Sequence, residues 1–239
     1  HEPLLEDQVG LLVTSRGADV RRRAAAHVVV DDIDATSLDD ATAHHLARVV
    51  RLRDGDLVTL TDGRGAWRTV MWERGEIAID GPVEREPPRT DRITIGFAIP
   101  KRDRPEWIVQ KLTELGVDRI VLVHAQRSVV RWDAPRAERH TAKLRTVARD
   151  ALRQSRGVWL PEIDGPVAAT DALAGAAAAE PGGDALTAEQ RSLVVGPEGG
   201  WTDDELARAV CSVDLGETVL RVETAALSAA ARMVAFRRT

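Results

Sequence analysis

The stretch SLVVGPEGGWTDDEL, Ser192 to Leu206, constrains the fold more than any other part of the chain. An apolar, β-branched run feeds a turn of three glycines and a proline. Thr202 then opens a helix, and Glu205 is placed to complete a capping box. A strand that turns at its carboxyl end straight into a helix is the repeating unit of a parallel α/β sheet, and the unit recurs. RITIGFAIP leads into DRPEWIVQKLTELGV, with Pro105 near the first helical turn and Gly116 just past the last. DRIVLVHAQRS precedes the long basic helix APRAERHTAKLRTVARDALRQSRG, and CSVDLG precedes the closing helix ETAALSAAARMVAF. DALAGAAAAEPGGDALTAEQ is expected to form a helix followed by an exposed loop. Strands alternating with helices predict an α/β fold with a mostly parallel sheet.

Residues 27–84 follow a different rhythm. HVVVDDI reads as a short strand, and SLDDATAHHLARVVRL as an amphipathic helix with Ser37 or Asp39 as N-cap. LVTLTDGRGAWRTVMWERGEIAIDGPV breaks into short strands at DG, GRG and RGE turns, the pattern of a small β-barrel. EREPPRTD, residues 84–91, is a charged linker with two prolines. The expected organisation is an N-terminal extension over 1–26, a small barrel domain over 27–84 and an α/β domain over 91–239. In the extension, RGADVRRRAAA reads as a mobile or helical lead-in.

Cys211 is the only cysteine, which excludes an internal disulfide and a cysteine-built zinc site. His44 and His45 are neighbours on a helix and point about 100° apart, so they do not suggest a metal pair. No metal is expected. No segment approaches the roughly 20 apolar residues of a membrane span, and HEPLLEDQVG shows neither a basic start nor an apolar run. The expected setting is the cytoplasm, with no membrane partner.

Net charge is −5, but its distribution is uneven. Residues 1–90 carry 12 basic and 17 acidic side chains, and residues 158–239 carry 6 and 13. Residues 99–157 carry 14 basic and 7 acidic, a local charge of 14 − 7 = +7. That is the footprint of a phosphate-contacting face, or else of a solvated helix surface balanced by neighbouring acids.

Two turns carry chemistry: VVGPEGGW (194–201) and VDLGETVLRVETAALSAA (213–230). Both fall where a strand's carboxyl end feeds a helix, the place at which open α/β sheets bind ligands. Gly196, Gly199, Gly200 and Gly216 let backbone approach a flat ligand closely. The Lys-Ser/Thr pair of a phosphate loop is missing. Glu198, Glu217 and Glu223 would repel a triphosphate and tolerate a cation. S-adenosylmethionine has a sulfonium, an ammonium and an adenine, and no phosphate. The competing reading is that both turns are only tight strand-to-helix connections.

GPEGGWTDDEL, followed by LGETVLRVETAAL, resembles the last two motifs of the RsmE family, bacterial 16S rRNA uridine-N3 methyltransferases of the SPOUT (α/β-knot) superfamily. HHLARVVRLRDGDLVTLTDGRGAW is similar to the family's PUA-like RNA-binding segment. KRDRPEWIVQKLTELGV and RDALRQSRG with LPEI are similar to its opening and middle motifs. The match runs in order over about residues 27–236. Three departures stand out: Asp150 where the family favours glutamate, Lys143-Leu144 where Arg-Trp is common, and Trp201 where phenylalanine is usual.

The resemblance implies a PUA-like barrel and a SPOUT domain with a deep trefoil knot. It also implies S-adenosylmethionine as cofactor, 16S rRNA of the small ribosomal subunit as substrate, and a homodimer. Cofactor contacts are expected from Val195, Gly196, Pro197, Glu198 and Gly199 in one turn. Leu215, Gly216, Leu220, Arg221, Glu223, Thr224 and Ala225 are expected from the other. Arg221 and Glu198 are the catalytic candidates. Arg221 would stabilise charge on a uracil oxygen or pair with Glu223. Glu198 would orient the cofactor's ammonium or the base, or serve as a helix N-terminal carboxylate.

RNA is expected to meet Arg48, Arg51, Arg53 and Arg64 in the first domain, and Lys101, Arg102, Arg104, Arg127 and Arg156 near the active site. With six tryptophans, two phenylalanines and no tyrosine, the chain should grip RNA through phosphate and edge contacts more than stacking. The dimer is expected through the last helix, where Ala225, Ala226, Ser228, Ala229, Ala230 and Ala231 permit close approach. Leu227, Met233, Val234 and Phe236 would add apolar area there. The alternatives are another knotted RNA methyltransferase acting on ribose 2′-oxygens, and a non-catalytic RNA-binding relative.

Overall fold

The computed structural model describes residues 17–237. The chain divides into two units. One takes the residues up to Pro88 together with Leu152–Trp159, and the other takes Arg89–Ala151 and the residues from Leu160 onward. The lead-in expected before residue 27 is helical over residues 17–23. Residues 1–16 lie outside the described residues.

The first unit holds β1 (Ala26–Val29), a short helix α1 (Asp40–His45) continued by a π-helical turn (Leu46–Val50), and strands β2 (Asp56–Thr61), β3 (Ala66–Glu73), β4 (Glu76–Ile79) and β5 (Glu84–Arg85). Asp39, one of the two expected N-caps, accepts from the Thr42 amide. The sheet runs β1-β2-β3-β4, with β5 also on β3, and only the β1–β2 pair is parallel. Val58, Leu60, Val70 and Trp72 pack its core against Val28 and Leu46. The expected linker therefore starts two residues inside the sheet.

Residues 152–159 read as part of the second domain, yet they pack with the first unit. Gly65 donates its amide to the Val158 carbonyl at 2.8 Å. Arg156, expected on RNA, donates from Nη1 to the carbonyls of Arg21 and Ala24 at 2.6 and 2.7 Å. Arg21 answers from Nε to the Arg156 carbonyl at 3.1 Å, stacks over Trp67 and pairs with Glu86 at 2.7 Å. Arg156, which looks like an RNA contact in the sequence, is thus an internal fastener, with Arg21 as its partner.

His27 completes this seam. Burial pushes its pKa down from 6.5 to about 4, against the Gly157 hydrogen bond and with help from the Arg21 and Arg156 charges. The neutral ring donates from Nε2 to the Gly157 carbonyl at 2.9 Å, because a carbonyl can only accept, and Nδ1 then faces the Thr59 hydroxyl at 2.8 Å. Between pH 6.5 and about 4 the unfolded chain binds a proton here that the folded chain does not, so stability falls as pH falls through that window. His27 alone should cost about 2 kcal/mol between pH 7 and 4.5. Urea unfolding at the two pH values should show a smaller loss for His27→Asn than for wild type. Equal losses would remove His27 from the account.

The second unit contains β6 (Thr94–Ala98), α2 (Arg104–Leu115), β7 (Arg119–His124), α3 (Ala134–Ser155, whose last residues belong to the first unit), β8 (Glu162–Ala168) and α4 (Ala169–Leu173). After these come β9 (Ala177–Ala185), β10 (Ser192–Val195), α5 (Asp203–Leu206), β11 (Cys211–Asp214) and α6 (Val222–Phe236). The sheet order is β11-β9-β10-β6-β7-β8, parallel throughout. Its central strands β10, β6 and β7 are buried on both faces, as parallel strands are. Ile95, Phe97, Leu122, Leu193 and Val195 face α2 and α6, whereas Val121, Val123 and Val194 face α4 and Trp201.

The Ala-rich segment expected as a helix and loop is mostly strand β9, wedged between β10 and β11. Alanine's helix preference amounts to less than about 1 kcal/mol per residue and yields to a slot that accepts only small side chains. Ala177 and Ala178 are buried there, and a Cβ on Gly183 would stand 2.6 Å from the Ser212 carbonyl carbon. α5 is one turn long, shorter than expected, but carries the expected box: Thr202 and Glu205 exchange side-chain-to-backbone bonds. In α6, Ala225, Ala226, Ala229, Ala230 and Met233 are buried within this chain. Those alanines are already used in packing on the sheet and α2. They are not surface kept for a partner.

Candidate functional site

A cavity opens at the carboxyl ends of β10 and β11, against the middle of β9. Ala179–Pro181 of β9, the turn after β10, the turn after β11 and Ala225 of α6 line it. Of the residues expected to hold a cofactor, Val195, Gly196, Pro197, Glu198, Leu215, Gly216, Leu220 and Ala225 line this cavity; Gly199, Arg221, Glu223 and Thr224 do not. Glu180, Asp214 and Glu198 contribute three carboxylates to its wall, and among the described residues no lysine, arginine or histidine lines it. A site so built disfavours phosphate and suits a ligand that carries positive charge.

Trp201 shapes the floor. Its indole is 4% exposed and donates from Nε1 to the Ala179 carbonyl at 3.2 Å. A Cβ on Gly196 would lie 2.8 Å from Cε2 of that ring. Trp201 therefore restricts this position to glycine, and Gly196 also lines the cavity. Gly200 takes a left-handed φ of 71° that closes the turn.

Three polar contacts hold the turns. Buried Glu205 accepts the Gln126 amide on one oxygen, at 2.7 Å, and the Thr202 amide on the other, at 2.9 Å. Arg127, expected on RNA, donates from Nη1 to the carbonyls of Gly199 and Trp201 at 3.2 and 2.8 Å. Asp214 accepts from Gly216 on one oxygen and from Gly182 on the other, at 2.9 and 2.8 Å, joining the β11 turn to the bend of β9. The Gly216 bond first, then the Gly182 bond, holds the Asp214 carboxyl below its usual pKa.

Arg104, also expected on RNA, sits between two acids: Nε is 3.5 Å from Glu223, and Nη1 is 3.9 Å from Glu198. Glu223 thus pairs with Arg104, and the alternative pairing with Arg221 is not formed. The second oxygen of Glu223 is buried with no hydrogen-bond partner among the described residues. Arg221 is exposed at the N-cap of α6 and makes no cap bond.

The remaining basic candidates, Arg48, Arg51, Arg53, Arg64, Lys101 and Arg102, are all exposed, with no side-chain ion pair among the described residues. Arg51 and Arg102 hold left-handed backbone, φ 61° and 64°. The sequence reading missed Ala179, Glu180 and Pro181 because it took that segment for a helix and loop. It noticed Trp201 only as a departure at a turn tip. The spacing of Gly196 and Trp201, five residues apart around Gly-Gly, is the local signal that a bulky ring folds back on the first glycine.

The second unit is thus a parallel α/β domain with a carboxylate-lined cavity at its strand ends, and the first is a small β-rich domain. An RNA methyltransferase domain model matches residues 86–234, and an RNA methyltransferase PUA domain model matches residues 38–71. The chain is 36% identical over 214 residues to ribosomal RNA small subunit methyltransferase E of Mycobacterium bovis, covering 79% of this chain and 82% of that one. It is 30% identical over 229 residues to the protein of the same name from Synechocystis, covering 85% and 74%. A probable rRNA-methyltransferase from Porphyromonas gingivalis superposes with TM-score 0.71 at 27% identity, over 89% of this chain and 98% of that one. A ribosomal RNA small subunit methyltransferase E from Neisseria gonorrhoeae, bound to S-adenosyl methionine, superposes with TM-score 0.71 at 25% identity, over 87% and 96%. The chain belongs to the ribosomal RNA small subunit methyltransferase E family.

Proposed function

We propose that the chain methylates N3 of a uridine in 16S rRNA, with S-adenosylmethionine held in the cavity between the β10 and β11 turns. The observation that carries this is the cavity's lining, three carboxylates and, among the described residues, no basic side chain, against backbone-rich glycine turns. The relatives' names and the cofactor bound by the Neisseria protein support it. The residues present fit that cofactor: Glu180, Glu198 and Asp214 match its positive charge, and the turn backbones offer donors and acceptors to its adenine. When bound, it supplies a methyl group made electrophilic by the sulfonium.

The chain's own residues must do the rest. N3 of uracil is an imide nitrogen and becomes nucleophilic only as its proton leaves. Arg221, exposed and uncommitted at the N-cap of α6, stabilises the charge that develops on a uracil oxygen. Glu198 lines the cavity and shares Arg104 with Glu223, so the position of one carboxylate is coupled to the other. Arg48, Arg51, Arg53 and Arg64 grip phosphates from the first unit, with Lys101 and Arg102 on the second. The working form is a homodimer through the second unit, acting in the cytoplasm where ribosomes are assembled. Sedimentation at micromolar concentration should give about twice the 26.0 kDa chain mass.

Incubating the protein with small ribosomal subunits and cofactor, then digesting the RNA and weighing its nucleosides, tests the reaction. N3-methyluridine is the expected product. A ribose-methylated nucleoside, or no product, would overturn the proposal.

A further inference from the structure

A second cavity lies wholly within the first unit. Ala26, Val28 and Leu46 give it apolar walls, and His27, Thr42, His45, Arg153, Gln154 and Arg156 add polar groups. The wall formed by residues 153–157 is held in place by the bonds of Arg156 to Arg21 and Ala24 and by the His27–Gly157 contact. The opposite wall includes the π-helical turn, whose last residue Val50 lines the cavity and is 40% exposed. That turn ends at Arg51 in a left-handed conformation that disfavours a side chain. π-Helical turns cluster at functional sites, and retained backbone strain is a reason to look for function. Arg48, Arg51 and Arg53 are exposed within three residues of Val50.

We propose that this cavity captures one unpaired base of the RNA and reads its edge through Gln154 and His45, while the adjoining arginines hold the flanking phosphates. The assignment rests on the reading that the chain works on RNA. Apolar walls suit the faces of a flat ring, and an amide, an imidazole and a hydroxyl can each meet donors or acceptors on its edge. The Arg156 guanidinium is already engaged by the Arg21 and Ala24 carbonyls, so the apolar walls favour a flat ring over a free phosphate. Trp67 and Trp72 of this unit are buried and Trp159 does not line the cavity, so edge contacts must supply the selectivity that stacking supplies elsewhere.

The test is fluorescence anisotropy of the full chain with four single-stranded RNA homo-oligomers at fixed salt. Wild type should prefer one oligomer by about fivefold or more. Gln154→Ala should weaken the preferred oligomer about tenfold and compress the preference. Ala25→Phe, placed at an exposed residue on the cavity's lip, should weaken binding similarly and leave its salt dependence unchanged, since no phosphate contact is touched. Cofactor affinity should stay at the wild-type value in both variants. Equal binding of all four oligomers by wild type, or variants within twofold of it, overturns the pocket alone. A wild-type chain that binds no RNA overturns the pocket and the proposed function together.

Discussion

Trp201→Ala is expected to reduce S-adenosylmethionine affinity by roughly thirtyfold or more and to cost about 3–5 kcal/mol of stability, the usual range for emptying a buried aromatic site. The ring fills the space among Val194, Ala178 and Leu173 and ties the β10 turn to the Ala179 carbonyl. Without it, the turn and the middle of β9 lose their common support. Trp201→Phe keeps most of the packing and gives up one hydrogen bond, so about 1 kcal/mol and a few-fold in affinity are expected. Gly196 supplies the sharper form of the test. Because its Cβ would stand 2.8 Å from the indole, Gly196→Ala should be costly beside Trp201 and markedly less so beside a smaller residue. The pair Gly196→Ala and Trp201→Leu should therefore be non-additive in both urea unfolding and calorimetry. Additive costs would mean that the indole does not restrict position 196.

That contrast marks where sequence reading reaches and where it stops. The Thr202–Glu205 box, Gly116 after α2 and the strand-turn-helix units are local devices, and local spacing is enough to place them. Strand β9 is not local. Four alanines in a row favour a helix until two flanking strands leave room for nothing larger, and only the sheet order contains that fact. The arginines divide for the same reason. Residue type says that Arg104, Arg127 and Arg156 carry charge. It does not say that one lies between two glutamates and that the others are bonded to backbone carbonyls. Residues 152–159 belong to the first unit through Val158, Gly157 and Arg156, all contacts with residues more than ninety positions away. A deletion of residues 1–84, which the linear domain boundaries would recommend for separating RNA capture from methyl transfer, strips those partners and leaves the segment exposed.

Point substitutions at the free arginines avoid that damage. Arg51→Glu with Arg53→Glu is expected to raise KM for ribosomal RNA by roughly thirtyfold at low salt, with cofactor affinity unchanged. Two lost phosphate contacts should also flatten the plot of log affinity against log salt by about 1.4–1.8. Folding should survive, since neither side chain has an ion-pair partner among the described residues and both are exposed. Arg51→Gly separates charge from backbone. It removes the same cation while relieving a left-handed φ of 61°, so stability should hold or rise as RNA affinity falls. Arg156→Glu is the opposite control: it breaks the bonds to the Arg21 and Ala24 carbonyls, so it should lower the unfolding midpoint without a specific change in salt slope. Filter binding of ribosomal RNA across a salt series distinguishes the two classes. If the Arg51/Arg53 variant keeps the wild-type slope, phosphate is held somewhere other than this face, and the exposed arginines of the first unit are only its solvated surface.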